Sequence, residues 1–492
     1  MQTLKIKRPY INIRMILRVL GWLLFIEAAF MLIPLVTSLI YGEEDYKAFL
    51  WSIGITVTLG FGMKMLPVRT NEVRKRDAIL LTSMVWIVFS LFGMLPFLFS
   101  GAHSRVCDGF FEAMSGFTTT GLSVFDSLDS LTHGILIWRS VMQWIGGLGI
   151  ILFTLAVLPM LNYSGGLQLY NAEVSGIAHY KLRPRVSSTA KGMWFVYIFL
   201  TLLCILLLLP SEMDPFEAVC YGMTTMSTGG FAVTDAGIGQ WDSIYIMVVF
   251  IIFMFLGGIN FGLLFNAAHG NFKLLHHNDA LRWYCGIIVV CSVIMAVCIA
   301  LTGNCRSVWD VTVLPLFQTI SLSSSTGVVQ PGFQHWGALC SFLFLFLIFI
   351  GACAGSTSGG AKVDRLIVVF KNIKNEFFRI VHPNAILSVY INGKGTPAWM
   401  VQKAMTFMLL YFLVITLAGV TLVCLGLPLG ESLFSVLEAI TNAGLGVTLE
   451  GEPATYGSYP AIGKYILALV MLIGRLELYT VLVLATAPFW RR

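Results

Sequence analysis

Phe117-Thr-Thr-Thr-Gly-Leu-Ser-Val124 sets three threonines, a glycine and a serine directly after the apolar stretch Gly109-Phe-Phe-Glu-Ala-Met-Ser-Gly116. Related runs return at Ser227-Thr-Gly-Gly-Phe-Ala-Val233, Ser324-Ser-Thr-Gly-Val-Val329 and Thr441-Asn-Ala-Gly-Leu-Gly-Val447. One such run reads as a loop tip, since Gly, Ser and Thr are turn residues. Four of them, with Gly121, Gly230, Gly327 and Gly444 spaced 109, 97 and 117 residues apart, read as a repeat.

The surroundings of the runs are membrane-like. The chain has 492 residues, 57% hydrophobic and only 11% charged, with a mean hydropathy of +0.83. A soluble domain carries about 25% charged residues. Several apolar runs exceed the ~18 residues that mark a spanning helix. A soluble all-α protein is thereby excluded, and the lipid bilayer is the first partner. The net charge of +6 is spread over loops and gives no nucleic-acid signal. The ten cysteines form no Cys-x-x-Cys pair and read as small apolar residues. Cys107 and Cys305 both fall in external loops, which leaves a disulfide between them open.

Ten spans are expected, near 15–41, 48–66, 78–100, 134–161, 191–210, 242–266, 280–302, 338–370, 399–427 and 461–490. Lys and Arg gather in alternate connections: the N-terminal segment, 67–77, 162–191, 267–282, 371–398 and the terminal Arg491-Arg492. The 211–241 and 428–460 loops hold four acidic residues each and no Lys or Arg. Lys47, Arg105 and Arg306 are exceptions. By the positive-inside rule both termini are cytoplasmic.

All four hydroxyl–glycine runs fall on the external side. Each follows a short apolar stretch, at 108–117, 215–226, 310–323 and 430–440, too short to span and suited to a re-entrant half-helix. Non-helical backbone is tolerated at membrane depth where it is buried in protein or lines water. Four such runs converging on one axis would present rings of carbonyl oxygen, which replace the hydration shell of a cation. Glycine supplies backbone angles closed to other residues. Thr and Ser hydroxyls add an oxygen or tie the loop down. The candidate filter is Thr119, Thr120 and Gly121; Thr228, Gly229 and Gly230; Ser325, Thr326 and Gly327; and Asn442, Ala443 and Gly444. Either Gly229 or Gly230 could be the key glycine of the second run; alignment on the following valine favours Gly230. Asn442 departs from the threonine of the first run, so the rings are unequal in side chains.

On these residues the chain resembles the membrane subunit of the Trk/Ktr/HKT superfamily of potassium transporters, nearest the TrkH branch. The resemblance extends to Arg139-Ser-Val-Met-Gln143-Trp144-Ile-Gly146-Gly147-Leu-Gly149, Gly165-Gly166-Leu-Gln168-Leu-Tyr170-Asn-Ala-Glu173, Gly351-Ala-Cys-Ala-Gly355-Ser-Thr-Ser-Gly359-Gly360-Ala-Lys362 and Gly474-Arg475-Leu-Glu477-Leu-Tyr479. It implies an all-α polytopic membrane protein with four M1–P–M2 channel-like repeats around one pore plus two N-terminal helices. The divisions are 1–70 for the extra helices, then repeats at 71–166, 167–272, 273–394 and 395–492. It implies potassium uptake across the bacterial inner membrane, a homodimer, and a cytosolic RCK-type nucleotide-binding subunit (TrkA-like). Potassium is the transported ion. No bound organic cofactor is expected, since the chain has no Walker loop or dinucleotide fingerprint of its own.

A gate is suggested by the 338–370 span. Gly355, Ser356, Thr357, Ser358, Gly359 and Gly360 make a poor helix, and a break there must face a cavity or a close helix–helix contact. The resemblance makes it an intramembrane gating loop. Arg475, inside the last span, needs a partner or water. Glu477 is a poor one, because i and i+2 do not face each other on a helix. The expectation is that Arg475 bonds the 355–360 carbonyls and repels cations. Lys362 is either part of this gate or the first cytoplasmic anchor. Arg139 is read as structural, and Gln143, Gly146 and Gly147 as packing. The competing function is a proton- or sodium-coupled symporter, whose broken helices would lie in two halves rather than four repeats. An enzyme lacks converging groups in the spans: Glu27 and Glu477 have no His or Asp partner in a motif.

Overall fold

The computed structural model describes residues 11–68, 73–147, 149, 186–302, 307–330, 336–447 and 454–491. The Gly165–Glu173 motif, residues 150–161 of the fourth expected span and Cys305 lie outside the described residues. Cys107 is a free, buried thiol.

The described chain is helical, apart from a small hairpin of Val389–Ile391 and Lys394–Thr396 turned at Asn392-Gly393, where both φ are positive. Five helical stretches are long and apolar enough to cross a membrane: Ile13–Tyr41, Lys75–Phe99, Lys191–Leu208, Asp279–Thr302 and Ala398–Cys424. Two further spans are sharply bent, Ile244–Gly257 with Phe261–Ala268 by 104° and Ala461–Arg475 with Tyr479–Ala485 by 115°. These seven fall on seven expected spans. The 48–66 span is the continuous helix Tyr46–Lys64, and the fourth span is helical over His133–Gly147. The eighth divides into Ala338–Ile350 and Val363–Val381 around a loop. The chain is thus an all-α polytopic membrane protein. Large apolar side chains such as Trp51, Phe195 and Leu301 are exposed on outward helix faces, as lipid requires.

The two N-terminal helical units pack on each other through small residues. A Cβ on Gly21 would meet the carbonyl of Gly60 at 2.6 Å, so the backbones touch. The first span breaks at Met31, three residues before Pro34, and the third at Met94, two before Pro96. A proline ring cannot follow an unbroken turn without losing a hydrogen bond.

Four shorter helices sit between spans: Val106–Phe117, Pro215–Met226, Val308–Ser323 and Leu429–Thr441, of 12, 12, 16 and 13 residues. At ~1.5 Å per residue the 12-residue ones reach about 18 Å, little more than half the ~30 Å hydrocarbon layer. Their starts are well specified. Asp214 and Glu217 form a capping box with Pro215 at the first turn, and Pro428 precedes Leu429. Nearly every residue of Val106–Phe117 from Cys107 onward is buried. These half-helices are the centre of the molecule, and the spans surround them.

Candidate ion pathway

All four half-helices end the same way. The residue two before the glycine is left-handed, with φ of 54° at Thr119, 53° at Thr228, 57° at Ser325 and 50° at Asn442. The next N–H reaches back five residues: Thr120 to Ser115 O at 2.9 Å, Gly229 to Thr224 O at 3.0 Å, Thr326 to Ser321 O at 3.0 Å and Ala443 to Glu438 O at 3.1 Å. A second bond, from the left-handed residue to the carbonyl three before it, completes the pattern in each. This is a Schellman ending, which normally uses Gly or Asn at the left-handed site. Asn442 therefore suits its backbone, whereas the β-branched Thr119 and Thr228 are held in a conformation that threonine disfavours.

The glycines then bring the loops together. Gly121, Gly230 and Gly327 have φ of 88°, 72° and 79°, which puts Gly230, not Gly229, in register with Gly121. A Cβ on Gly121 would strike Gly229 O; on Gly230, Thr326 O; on Gly327, Gly444 O. On Gly444 it would meet Gly121 C at 2.5 Å and Leu122 N at 2.6 Å. First touches second, second third, third fourth, and fourth first. The four loops thus form one closed ring, and each passage between neighbours admits only a residue without a side chain. Gly444 N also donates to Thr120 O. The hydroxyls serve as ties. Thr118 and Thr120 share a 2.7 Å bond, as do Ser324 and Thr326, and Asn442 Nδ2 donates to Thr120 Oγ1 at 2.9 Å.

Behind the ring runs a set of buttresses that sequence reading passed over. In the first three repeats the residue nine before the glycine accepts from the backbone N–H three after it. Glu112 Oε2 takes Val124 N at 3.0 Å, Tyr221 OH takes Val233 N at 3.4 Å, and Gln318 Oε1 takes Gln330 N at 3.1 Å. In the fourth, Glu438 takes Leu445 N at 2.8 Å and also Tyr456 OH at 2.5 Å. The constant nine-plus-three spacing of a hydrogen-bonding side chain was the available signal. Arg139 joins two repeats: Nε donates to Glu112 Oε1 at 2.8 Å and Nη1 to Ala232 O at 3.0 Å. Gln143 does more than pack. It donates to Gly229 O at 2.8 Å and accepts from Phe231 N at 3.1 Å.

Below the ring the inner helices of the second, third and fourth repeats break at a comparable place: at Gly258-Ile259-Asn260, at 351–362 and at 476–478. Sequence reading found only the break at 351–362. Asn260 starts the new helix by accepting from Gly262 N and Leu263 N, and donates its amide to Ala354 O. The 351–362 loop lies against the underside of the ring. Gly359 N donates to Ser325 Oγ at 2.8 Å, Thr357 Oγ1 to Gly257 O at 3.1 Å, and Thr228 Oγ1 to Thr357 Oγ1 at 3.2 Å. A Cβ on Gly359 would strike Thr441 O. Gly355, Ser356, Ser358 and Gly360 complete the loop, with Ser356 and Ser358 sharing a 2.8 Å bond. Arg475 closes the arrangement. Nη1 donates to Thr357 O at 2.8 Å, and Nη2 to Gly147 O at 2.6 Å and to Gly146 O. Glu477 pairs elsewhere, with Lys362 at 3.3 Å and with Arg365. Lys362 is buried at the start of the next helix.

Residues 47–491 fit the profile of TrkH, described as a cation transport protein. The chain belongs to the TrkH family. Relatives in this family include the Trk system potassium uptake protein TrkH of Escherichia coli K12, 35% identical over 98% of this chain and 100% of that protein. The TrkH of Halomonas elongata is 34% identical over the same shares. The crystal structure of the potassium transporter TrkH from Vibrio parahaemolyticus superposes with a TM-score of 0.88 at 32% identity, covering 98% of this chain and 100% of that one. The TrkH family is a transport family, so this chain is a transport protein and not an enzyme.

Proposed function

We propose that this chain is the membrane subunit of a potassium uptake system, and that potassium passes through the ring formed around Gly121, Gly230, Gly327 and Gly444. One observation carries the reading: four identical helix endings meet in a closed cycle of backbone contacts. Each half-helix directs its C-terminal, partly negative end toward the ring. On this reading backbone carbonyls of the four runs replace water around the ion, although Thr120 O and Gly229 O also accept from Gly444 N and Gln143 Nε2. On this reading the chain divides into two leading helices, 1–70, and four repeats, at 71–166, 167–272, 273–394 and 395–492, and the four similar helix endings support a fourfold arrangement.

The 351–362 loop and Arg475 are the gate on this reading. The loop obstructs the path beneath the ring with backbone, and Arg475 adds a positive charge where a cation would leave. Withdrawal of Arg475 from Thr357 O and of Gly359 from Ser325 opens the path. The working assembly is a homodimer in the bacterial inner membrane, with both termini cytoplasmic and a cytosolic RCK-type, TrkA-like subunit that senses nucleotide. The relatives' designation as members of a Trk system supports a further component.

Rubidium uptake into liposomes holding the purified chain and loaded with potassium tests the reading. External potassium should block uptake far more than sodium. Uptake that requires a sodium or proton gradient would replace it with a coupled symporter.

A further inference from the structure

A knot of buried charge lies on the inner side of the 351–362 loop. Glu477, Lys362, Asp364 and Arg365 are all less than a tenth exposed. Glu477 bridges two cations, one oxygen to Lys362 Nζ at 3.3 Å and the other to Arg365. Asp364 accepts from Ala354 N at 2.6 Å, which ties the knot to the loop itself. Arg365 is fixed further by donation to Ala361 O at 3.2 Å and by the Phe407 ring, 4.0 Å from its guanidinium. The two cations belong to the loop's exit and the helix Val363–Val381. Glu477 belongs to the break in the last span, two residues beyond Arg475.

We propose that Glu477 is a positioning residue that latches Arg475 onto the loop through Lys362 and Arg365. The proposal rests on the reading of Arg475 and the loop as the gate. Three observations carry it. The ion pairs cross between the third repeat's loop and the fourth repeat's hinge, and join no two residues of one element. The hinge is strained, with Glu477 and Leu478 at φ of 55° and 58°, a backbone that neither side chain favours. Such strain persists only where the surroundings over-determine it. Lastly, the two buried cations, Lys362 and Arg365, are matched by two buried carboxylates, Asp364 and Glu477, with the half-buried Arg475 two residues from Glu477. Without the Glu477 charge, the two buried cations share one carboxylate with Arg475 beside them, and mutual repulsion drives loop and Arg475 apart. A buried ion pair adds little stability over an apolar substitute. Its value here is that it sets the hinge angle and so the place of Arg475. Movement of Val363–Val381 from the cytoplasmic side would be transmitted to Arg475 by the same bridge.

The test is basal rubidium flux through the purified full-length chain in liposomes. Arg475→Ala is measured first, because it probes the gate alone. The latch predicts that E477Q raises basal flux by about tenfold, through a shift in the closed population. It predicts that E477Q combined with R475A leaks no more than R475A alone, since both act on one gate. E477D keeps the charge and should fall between wild type and E477Q. If E477Q does not fold, Arg365 carries the test: R365Q should leak and R365K should not. Leak in R475A with wild-type flux in both E477Q and R365Q would overturn the latch and leave the gate standing. Wild-type flux in R475A would overturn both.

Discussion

Arg139→Met probes the tie between the first two repeats. The Arg139 and Glu112 side chains are 2% and 0% exposed and 2.8 Å apart. The guanidinium also bonds Ala232 O and Ser123 Oγ and sits 4.1 Å from the Phe231 ring centroid. Met fills the space but leaves the Glu112 carboxylate buried without its cation. Breaking a buried pair on one side costs about 3–5 kcal/mol. The structure also supplies the remedy. The equivalent position in the third repeat is Gln318, which accepts from Gln330 N with an amide oxygen and no charge. Gln at 112 can accept from Val124 N in the same manner. R139M combined with E112Q should therefore recover most of the loss, leaving about 1–2 kcal/mol for the bonds to Ala232 and Ser123. Unfolding of detergent-solubilised protein, followed by loss of the monodisperse peak with temperature, measures the order wild type, double variant, R139M. A double variant no more stable than R139M would refute the charge argument and assign the loss to packing alone.

Three further outcomes follow from the same geometry. Gly230→Ala must both adopt a φ of 72° and place a methyl on Thr326 O, so rubidium uptake should fall at least tenfold while the protein still folds. Retention of wild-type uptake would show that this loop does not line the path. Arg475→Ala loses its bonds to Thr357, Gly146 and Gly147, and basal flux should rise, with wild-type flux as the contrary result. In the loop after Val233, burial works to raise Asp235, but the N–H of Leu128 and the hydroxyl of Ser127 outweigh it and hold the carboxyl below the usual range. A lowered folded-state pKa gives stability that is present above the ordinary value of ~4 and lost as pH falls through the lowered one. D235N should therefore flatten the acid limb of stability; an unchanged limb would place the effect elsewhere.

The half-helices and their glycine endings were legible because their chemistry is local. A short apolar run, then Thr or Ser, then Gly, is readable wherever it occurs, and its fourfold recurrence fixed the architecture. The left-handed sites two before each glycine were half legible. Asn442 looked like a departure from symmetry, yet it is the residue that its backbone prefers. The breaks at Gly258-Ile259-Asn260 and Leu476-Glu477-Leu478 were hidden because long apolar runs flank both. Hydropathy records burial but not direction, and only the glycines and Asn260 marked the bend. Partners such as Arg475 with Gly146 and Gly147 are 329 and 328 residues apart, and no periodicity connects them.

The measurement closest to the central claim is anomalous scattering from crystals of this chain grown in rubidium or thallium. Density is expected on the axis of the ring, coordinated by carbonyls from all four loops around Gly121, Gly230, Gly327 and Gly444. Density confined to a midplane site between two halves, with none in the ring, would contradict it.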